Sequence, residues 1–151
     1  MKVVLQRVKR AKVTIDGKVN GEIGRGYLIL LGIGKDDTEE TAEKMAEKIK
    51  KLRLFDDENG KTNLSIDQAG GKVLVVSQFT LYANCKKGTR PSFADAAAPD
   101  MAEKIYIYFL EYCSKLFGGA EHGEFGADMQ VELVNDGPFT ITLDSNMNYE
   151  R

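Results

Sequence analysis

The sequence predicts an α+β fold: a single β-rich domain over residues 1–151, with a mostly antiparallel, barrel-like sheet and two main helices. Three observations support this. Four short β-type runs fall close together at the start of the chain, two longer segments carry apolar residues at helical spacing, and most strand connections are too short for parallel crossovers.

The β-type runs at the start of the chain are short and separated by turn residues. Asp16-Gly17-Lys18 and Gly24-Arg25-Gly26 supply two of these turns. Runs this close together are typical of a meander or a series of hairpins. The predicted strands span residues 3–8, 11–15, 19–24 and 27–33.

A helix is predicted over residues 36–55, "DDTEETAEKMAEKIKKLRLF". Asp37 or Thr38 can cap it, and Glu39 and Glu40 favour the positive end of the helix dipole. One apolar stripe follows helical spacing. Its members are Ala42, Met45, Ala46, Ile49 and Leu52. A turn-rich loop then runs over 56–61 and on to Gly70-Gly71.

The second half of the chain alternates between strand, loop and helix. Residues 72–82 form a predicted strand, 84–98 a loop, and Pro99 begins a second helix that Gly118-Gly119 ends. Strands at 128–134 and 139–143 close the chain. The predicted core face of the second helix consists of Met101, Ala102, Ile105, Phe109, Cys113 and Leu116.

Composition restricts the class of protein. With 42% hydrophobic and 29% charged residues, the chain is typical of a globular domain, and no apolar run approaches the ~20 residues of a membrane span. The N-terminus lacks the apolar block of a secretion signal, so we expect a cytoplasmic protein. Cys85, Cys113 and the single His122 show no metal-ligand spacing, and a disulfide is not expected.

Charge gives a weaker indication of a partner. The net charge is −2, but residues 1–12 carry five basic residues and no acid, and Lys86, Lys87 and Arg90 form a second basic cluster. Such clusters fit a local contact with phosphates, but charge alone favours an ordinary solvated surface.

Polar residues interrupt the apolar strand "VVSQFTL" at residues 75–81. Strand alternation predicts Ser77 on one face and Gln78 and Thr80 together on the other. An amide and a hydroxyl beside free backbone N–H groups can form an oxyanion site. A strand with one solvent-exposed face explains the same pattern. Nucleophilic triads are poorly supported, because no GxSxG motif is present and His122 lies far from Ser77 and Cys85 in sequence.

Gly137-Pro138 interrupts the C-terminal strands. Proline removes a donor from a strand ladder, and only X-Pro peptides adopt the cis form at modest cost. This corner is either a plain turn or a rigid feature that contacts a small ligand through its backbone.

"SQFTL" at 77–81 and "NDGPFT" at 135–140 resemble the SQxTL and NxGPxT signatures of the D-aminoacyl-tRNA deacylases. "VVLQRV", "GEIGRGYLILLGI" and "RPSF" extend the resemblance over essentially the whole chain. It implies a hydrolase that cleaves the ester between a D-amino acid and the 3′ end of tRNA and that also removes glycine from some tRNAs. It also implies a homodimer with no metal or cofactor.

The resemblance assigns roles to individual residues. Ser77, Gln78, Phe79 and Thr80 correspond to the reaction site, with Gln78 and the Phe79 N–H polarising the ester carbonyl. Thr80 is a candidate nucleophile, but no base lies near it in sequence, so we favour attack by water, assisted by the terminal 2′-hydroxyl.

Substrate-binding roles follow from the same resemblance. Gly137-Pro138 corresponds to a cis corner that enters the partner's active site and excludes L-amino acids. Phe125 and Met129 correspond to positions that pack the terminal adenosine, and core packing explains them equally well. Arg7 corresponds to the residue that secures the corner, although it would also suit a phosphate contact.

Two other functions are compatible with the resemblance. One is a sister deacylase that removes L-alanine from a non-cognate tRNA, which the intact "SQFTL" disfavours. The other is a non-catalytic tRNA-binding module. Thr89 stands where many family members carry an arginine, which weakens the expectation for tRNA contact but leaves the chemistry unaffected.

Overall fold

The computed structural model describes residues 1–147, and within them the chain forms eight strands, three α-helices and one 3-10 helix. The strands are β1 (Lys2–Ile15), β2 (Lys18–Ile23), β3 (Gly26–Gly32), β4 (Arg53–Asp56), β5 (Thr62–Ser65), β6 (Lys72–Ser77), β7 (Glu121–His122) and β8 (Gln130–Asp144). The helices are α1 (Glu39–Lys51), α2 (Ile66–Ala69), the 3-10 helix (Phe79–Tyr82) and α3 (Pro99–Leu116).

Strand β1 organises the main sheet. Its first half pairs with β3, its second half pairs with β2, and β8 runs along both halves on the other side, all antiparallel. Parallel pairing then joins β3 to β6 and β6 to β7. The order β2-β1-β3-β6-β7 brings the two outer strands towards each other.

The gap between β2 and β7 is nearly closed. Asn20 Nδ2 donates to the His122 carbonyl oxygen at 2.7 Å. A Cβ atom at Gly21 would lie 2.8 Å from that oxygen, so glycine is needed for this close approach. The sheet is therefore a nearly closed barrel, which confirms the predicted β-rich α+β class.

The core has two parts, one on each face of the sheet. Strand β6 shows the division: Val73 and Val75 pack on the outer side with helices α1 and α3, whereas Leu74 and Val76 face the barrel interior. The interior cluster is small and contains Val8, Ala11, Val13, Ile23, Leu28, Leu74 and Val76. The larger outer cluster includes the predicted apolar stripe of α1 except Leu52, which is only partly buried.

Both main helices begin as expected. Thr38 caps α1 and forms a reciprocal capping box with Thr41, and Pro99 lies in the first turn of α3. Helix α1 ends earlier than predicted, at Lys51, because Leu52 is already extended and residues 53–56 pair with β5. The predicted helix over 36–55 is therefore wrong in its last turn.

Other element boundaries also differ from the prediction. Residues 3–8 and 11–15 form one continuous strand, and β5 and α2 lie where only a loop was expected. Residues 148–151 of the predicted single domain lie outside the described residues. Among the described helices, none is long and apolar enough to cross a membrane.

Candidate active site

The end of β6 differs from the continuous strand predicted over 72–82. The strand stops at Ser77, Gln78 has φ −147° and ψ 80°, and the 3-10 helix follows at once. The alternation argument for Gln78 and Thr80 is therefore wrong. Gly32 makes this turn feasible, because a Cβ atom there would lie only 3.1 Å from the Gln78 carbonyl oxygen.

Gln78 and Thr80 meet nevertheless, through the turn of the helix. Gln78 Nε2 donates to Thr80 Oγ1 at 2.5 Å. The first N–H groups of a helix have no intrahelical acceptor, and the Gln78 side chain does not cap this one. The amide of Gln78 and the N–H of Phe79 thus lie together at the start of the 3-10 helix.

A cavity of about 580 Å³ opens beside this turn. Its lining is apolar except for two polar side chains, Ser77 and Gln78. Phe79 and Phe93 form an edge-to-face pair at 5.0 Å, and Phe79 is 57% exposed, so the pair marks the mouth of the cavity. The remaining lining residues are Val76, Ala96, Ala97, Pro99, Ala102, Phe125, Gly126, Ala127, Met129 and Val131.

The segment 123–129, which follows β7, contributes Phe125, Gly126, Ala127 and Met129 to the cavity lining. Gly123 N donates to the Val75 carbonyl oxygen at 3.0 Å, which fixes the start of the segment against β6. Phe125 packs on Tyr106 with the ring centroids 5.9 Å apart, and Met129 packs on the interior cluster. Phe125 and Met129 thus line the cavity and also contact the core, so the geometry accommodates both sequence-based interpretations.

The Gly137-Pro138 corner lies away from this cavity. Gln6 pairs with Thr140 and Val8 with Asn135, so residues 136–139 leave the ladder between β1 and β8. The corner interrupts a single strand, instead of separating two strands as predicted. The Gly137-Pro138 peptide is cis, and both residues are exposed.

Arg7 anchors this corner through hydrogen bonds to main-chain carbonyl groups. Its side chain is buried, Nε donates to the Asp136 carbonyl oxygen at 3.0 Å, and Nη1 donates to the Leu54 carbonyl oxygen at 2.7 Å. The guanidinium group also lies 4.8 Å from the centroid of the Phe139 ring. Because Arg7 is buried and engaged in this way, the geometry favours the securing role over the phosphate contact.

Asn135 braces the other side of the corner. Its Nδ2 donates to the carbonyl oxygens of Arg7 and Phe139, each at 2.9 Å, and its Oδ1 accepts from Phe139 N at 3.2 Å. The residues flanking the exposed Gly-Pro pair are thus tied to β1 and to each other, which makes the corner rigid.

Sequence reasoning missed several contributors to the site. Phe93 lies in "RPSF", and its apolar side chain directly after a basic loop is the sequence signal that points to it. The residue type of Asn135 was also informative, because asparagine side chains often hydrogen-bond to nearby backbone groups in turns. In the part of the chain described, no group of three or more His, Cys, Asp or Glu side chains could hold a metal ion.

Comparison with known families gives a match over most of the chain. The family model described as D-Tyr-tRNA(Tyr) deacylase matches residues 4–144. A D-aminoacyl-tRNA deacylase of Thermosipho africanus is 56% identical over 145 residues, covering 96% of this chain and 97% of that protein. A protein of the same name from Escherichia coli O81 is 53% identical, covering 95% and 99%.

Two solved structures show similar folds. A protein titled c-Myc DNA Unwinding Element Binding Protein superposes with a TM-score of 0.89 at 45% identity, covering 95% of this chain and 98% of that chain. A probable eukaryotic D-amino acid tRNA deacylase superposes with a TM-score of 0.84 at 17% identity, covering 94% and 97%, and this likeness concerns the fold alone.

Proposed function

The chain belongs to the D-Tyr-tRNA(Tyr) deacylase family, and we propose that it hydrolyses the ester bond of D-aminoacyl-tRNA, releasing the free D-amino acid and tRNA. The observation that carries this proposal is the apolar cavity whose two polar side chains, Ser77 and Gln78, lie at the start of the 3-10 helix. An ester whose carbonyl oxygen faced this point would meet hydrogen-bond donors and little competing water.

The proposed chemistry uses an attacking water molecule. The Gln78 amide and the Phe79 N–H stabilise the developing oxyanion, and the 2′-hydroxyl of the terminal adenosine helps to orient the water. The water oxygen bonds to the carbonyl carbon, the bond from that carbon to the 3′-oxygen breaks, and the 3′-oxygen takes up the proton that the water loses. In this proposal, Phe125 and Met129, which line the same cavity, pack the adenosine.

Thr80 supports Gln78 in this scheme and does not act as the nucleophile. Its hydroxyl oxygen accepts the hydrogen bond from Gln78 Nε2, which holds the amide in one orientation. Among residues 1–147, the Thr80 hydroxyl makes its hydrogen bond with the Gln78 amide and none with a base, and an unactivated hydroxyl attacks poorly.

Chirality is the finer part of the proposal. The Gly137-Pro138 corner is exposed, anchored by Arg7 and Asn135, and absent from the lining of the cavity within residues 1–147. A homodimer in which the corner of one subunit enters the cavity of the other would use it as a chiral gate. Backbone carbonyls would hold the substrate amine where an L side chain clashes, and glycine would pass because it has no side chain.

We propose that the exposed loop after the 3-10 helix, residues 84–92, contacts the tRNA. Asn84 and Ser92 form a bridge across it, and Lys86, Lys87 and Arg90 lie between them. Phe93 follows directly and reaches the cavity. Phosphates of the acceptor end would therefore meet positive charge next to the site of reaction. This substrate belongs to the translation machinery, so the proposed compartment is the cytoplasm.

A non-catalytic nucleic-acid-binding role is the second candidate, because the solved structure at 45% identity is that of a protein named for binding DNA. The name describes that protein and supplies a hypothesis for this one. Removal of L-alanine from a non-cognate tRNA is disfavoured by the intact "SQFTL" sequence.

Single-turnover hydrolysis tests the proposal. Excess protein is mixed with matched D-Tyr-tRNA and L-Tyr-tRNA, and amino acid release is followed over time. Rapid release from the D form alone is the expected result. Equal release from both would leave a deacylase without the chiral gate, whereas retention of both substrates without release would favour the binding module.

A further inference from the structure

Tyr106, on α3, is a buried tyrosine that the proposed chemistry does not use. Its side chain is 2% exposed, and its hydroxyl oxygen lies 3.1 Å from the Val75 carbonyl oxygen and 3.4 Å from the Gly123 carbonyl oxygen. Burial raises the pKa of Tyr106 well above its ordinary value. The hydroxyl is therefore protonated at neutral pH and can donate a hydrogen bond.

The two carbonyl groups belong to neighbouring segments that both lead into the cavity lining. Val75 precedes Ser77 by two residues on β6, and Gly123, which is hydrogen-bonded to Val75, precedes Phe125 by two residues on the segment that follows β7. The Tyr106 ring also packs against the Phe125 ring. A single side chain thus contacts both the strand that leads to Gln78 and the segment that carries the apolar wall.

The segment that follows β7 has little freedom to move independently. A Cβ atom at Gly123 would lie 2.5 Å from Met129 Sδ, so Met129 packs directly on the Gly123 backbone. A displacement of Gly123 away from Val75 would therefore also move Met129, which lines the cavity. The Tyr106 hydroxyl and the Gly123 N–H both restrain that displacement through Val75.

We propose that Tyr106 is a positioning residue that sets the separation between the Ser77-Gln78 turn and the Phe125–Met129 wall. It acts through main-chain carbonyls and does not touch the substrate. Its expected contribution is to binding of the terminal adenosine more than to the chemical step. The inference rests on the proposed function, because it takes the cavity as the adenosine site.

The test compares Tyr106→Phe with Tyr108→Phe. Tyr108 lies two residues away on the same helix, and its hydroxyl donates to the Glu43 carboxylate on α1, away from the cavity. Each variant loses one hydroxyl, and with it the hydrogen bonding of that hydroxyl, and keeps the aromatic ring. For D-Tyr-tRNA, KM is expected to rise about two- to tenfold in Tyr106→Phe, the factor equivalent to one net hydrogen bond, with kcat within about twofold. Tyr108→Phe is expected to keep both constants.

A second readout does not depend on catalysis. In ¹³C-methyl-methionine NMR spectra, the Met129 methyl resonance is expected to shift in Tyr106→Phe and to stay in place in Tyr108→Phe. If the wild-type protein does not hydrolyse D-Tyr-tRNA, the proposed function fails while this measurement still decides the role of Tyr106. An unmoved Met129 resonance, a KM equal to that of Tyr108→Phe, or loss of folding in Tyr106→Phe alone would overturn the positioning role.

Discussion

Arg7 Nε donates to the carbonyl oxygen of Asp136 at 3.0 Å, although the two residues are 129 positions apart in the chain. The same guanidinium group reaches the Leu54 carbonyl oxygen through Nη1, so one buried side chain joins β1, β4 and the corner of β8. Two donors at a fixed angle are required for this arrangement, and lysine cannot supply them.

Arg7→Lys is therefore expected to destabilise the protein by about 1–3 kcal/mol and to lower kcat/KM by about tenfold or more, because the corner loses an anchor. Urea unfolding and single-turnover hydrolysis of D-Tyr-tRNA measure the two effects. Arg10→Lys is the matched control, since Arg10 lies on the same strand but is exposed. A stability loss with unchanged hydrolysis would show that Arg7 serves the fold alone.

Gln78→Ala is expected to reduce the single-turnover rate about 10²-fold, because it removes a donor aimed at the developing oxyanion. Gln78→Glu should lose as much, since a carboxylate of nearly the same shape repels negative charge. Thermal unfolding of both variants checks that the turn at the end of β6 remains intact. Rates within about twofold of wild type would remove the proposed role of Gln78.

Thr80→Val is expected to lose only about two- to tenfold in rate, because the side chain retains its shape while Gln78 Nε2 loses its acceptor. Thr80→Ser keeps the hydroxyl and should stay close to wild type. Rapid-quench measurements with both variants distinguish the roles. If Thr80 formed a covalent intermediate, Thr80→Val would be inactive, and the wild-type protein would release tRNA in a burst.

Gly21→Ala tests the closure of the barrel. The new methyl group would lie 2.8 Å from the His122 carbonyl oxygen, so the gap between β2 and β7 must widen, at a cost of about 1–3 kcal/mol. Gly24→Ala is the control, because a Cβ atom there meets no atom within 4 Å. Denaturant unfolding of the pair should show a loss for Gly21→Ala alone, and equal stability of the two variants would contradict tight closure.

Alkaline pH should destabilise the protein partly through Cys113. Burial raises the pKa of this thiol from 9.0 to about 12, so between these values the unfolded chain has lost a proton that the folded chain keeps. Stability then falls as pH rises, by about 1.4 kcal/mol per pH unit for this group. Unfolding measured at pH 8, 9 and 10 should give a shallower decline in Cys113→Ala than in wild type.

Cys85→Ala controls for this comparison, because Cys85 is exposed. The slope with pH is the decisive quantity, since Cys113→Ala also leaves a cavity and lowers stability at every pH. An identical slope in Cys113→Ala and wild type would mean that the Cys113 thiol has the same protonation state in the folded and the unfolded chain.

Sequence patterns predicted the parts of this fold that depend on local periodicity. The apolar stripe of α1 and the proline at the start of α3 identified both main helices. Sequence patterns gave the wrong element where one spacing fits two structures. Leu52 and Phe55 continue the helical spacing of α1, yet residues 53–56 pair with β5 and form a strand. Tertiary pairing decided the outcome there, and the local sequence does not contain that information.

The candidate site, too, could be predicted only in part from local sequence patterns. The residue types of "SQFTL" and Gly137-Pro138 identified the important positions, but alternation placed Gln78 and Thr80 by the wrong rule. Their contact comes from a 3-10 turn, which depends on the close approach that Gly32 allows. Tyr106 carried no sequence signal, because its spacing on α3 is that of any core residue.

The pairing of β1 with β8 has a consequence for the order in which the protein matures. During translation, residues 2–15 emerge before residues 130–144 and lack this partner strand until it has been synthesised, roughly ten seconds later at common ribosomal rates. Arg7 has no Asp136 carbonyl to bind over that interval. The corner proposed to test substrates is therefore completed only after residues 130–144 have been synthesised, so a nascent chain that lacks them would have no chiral gate.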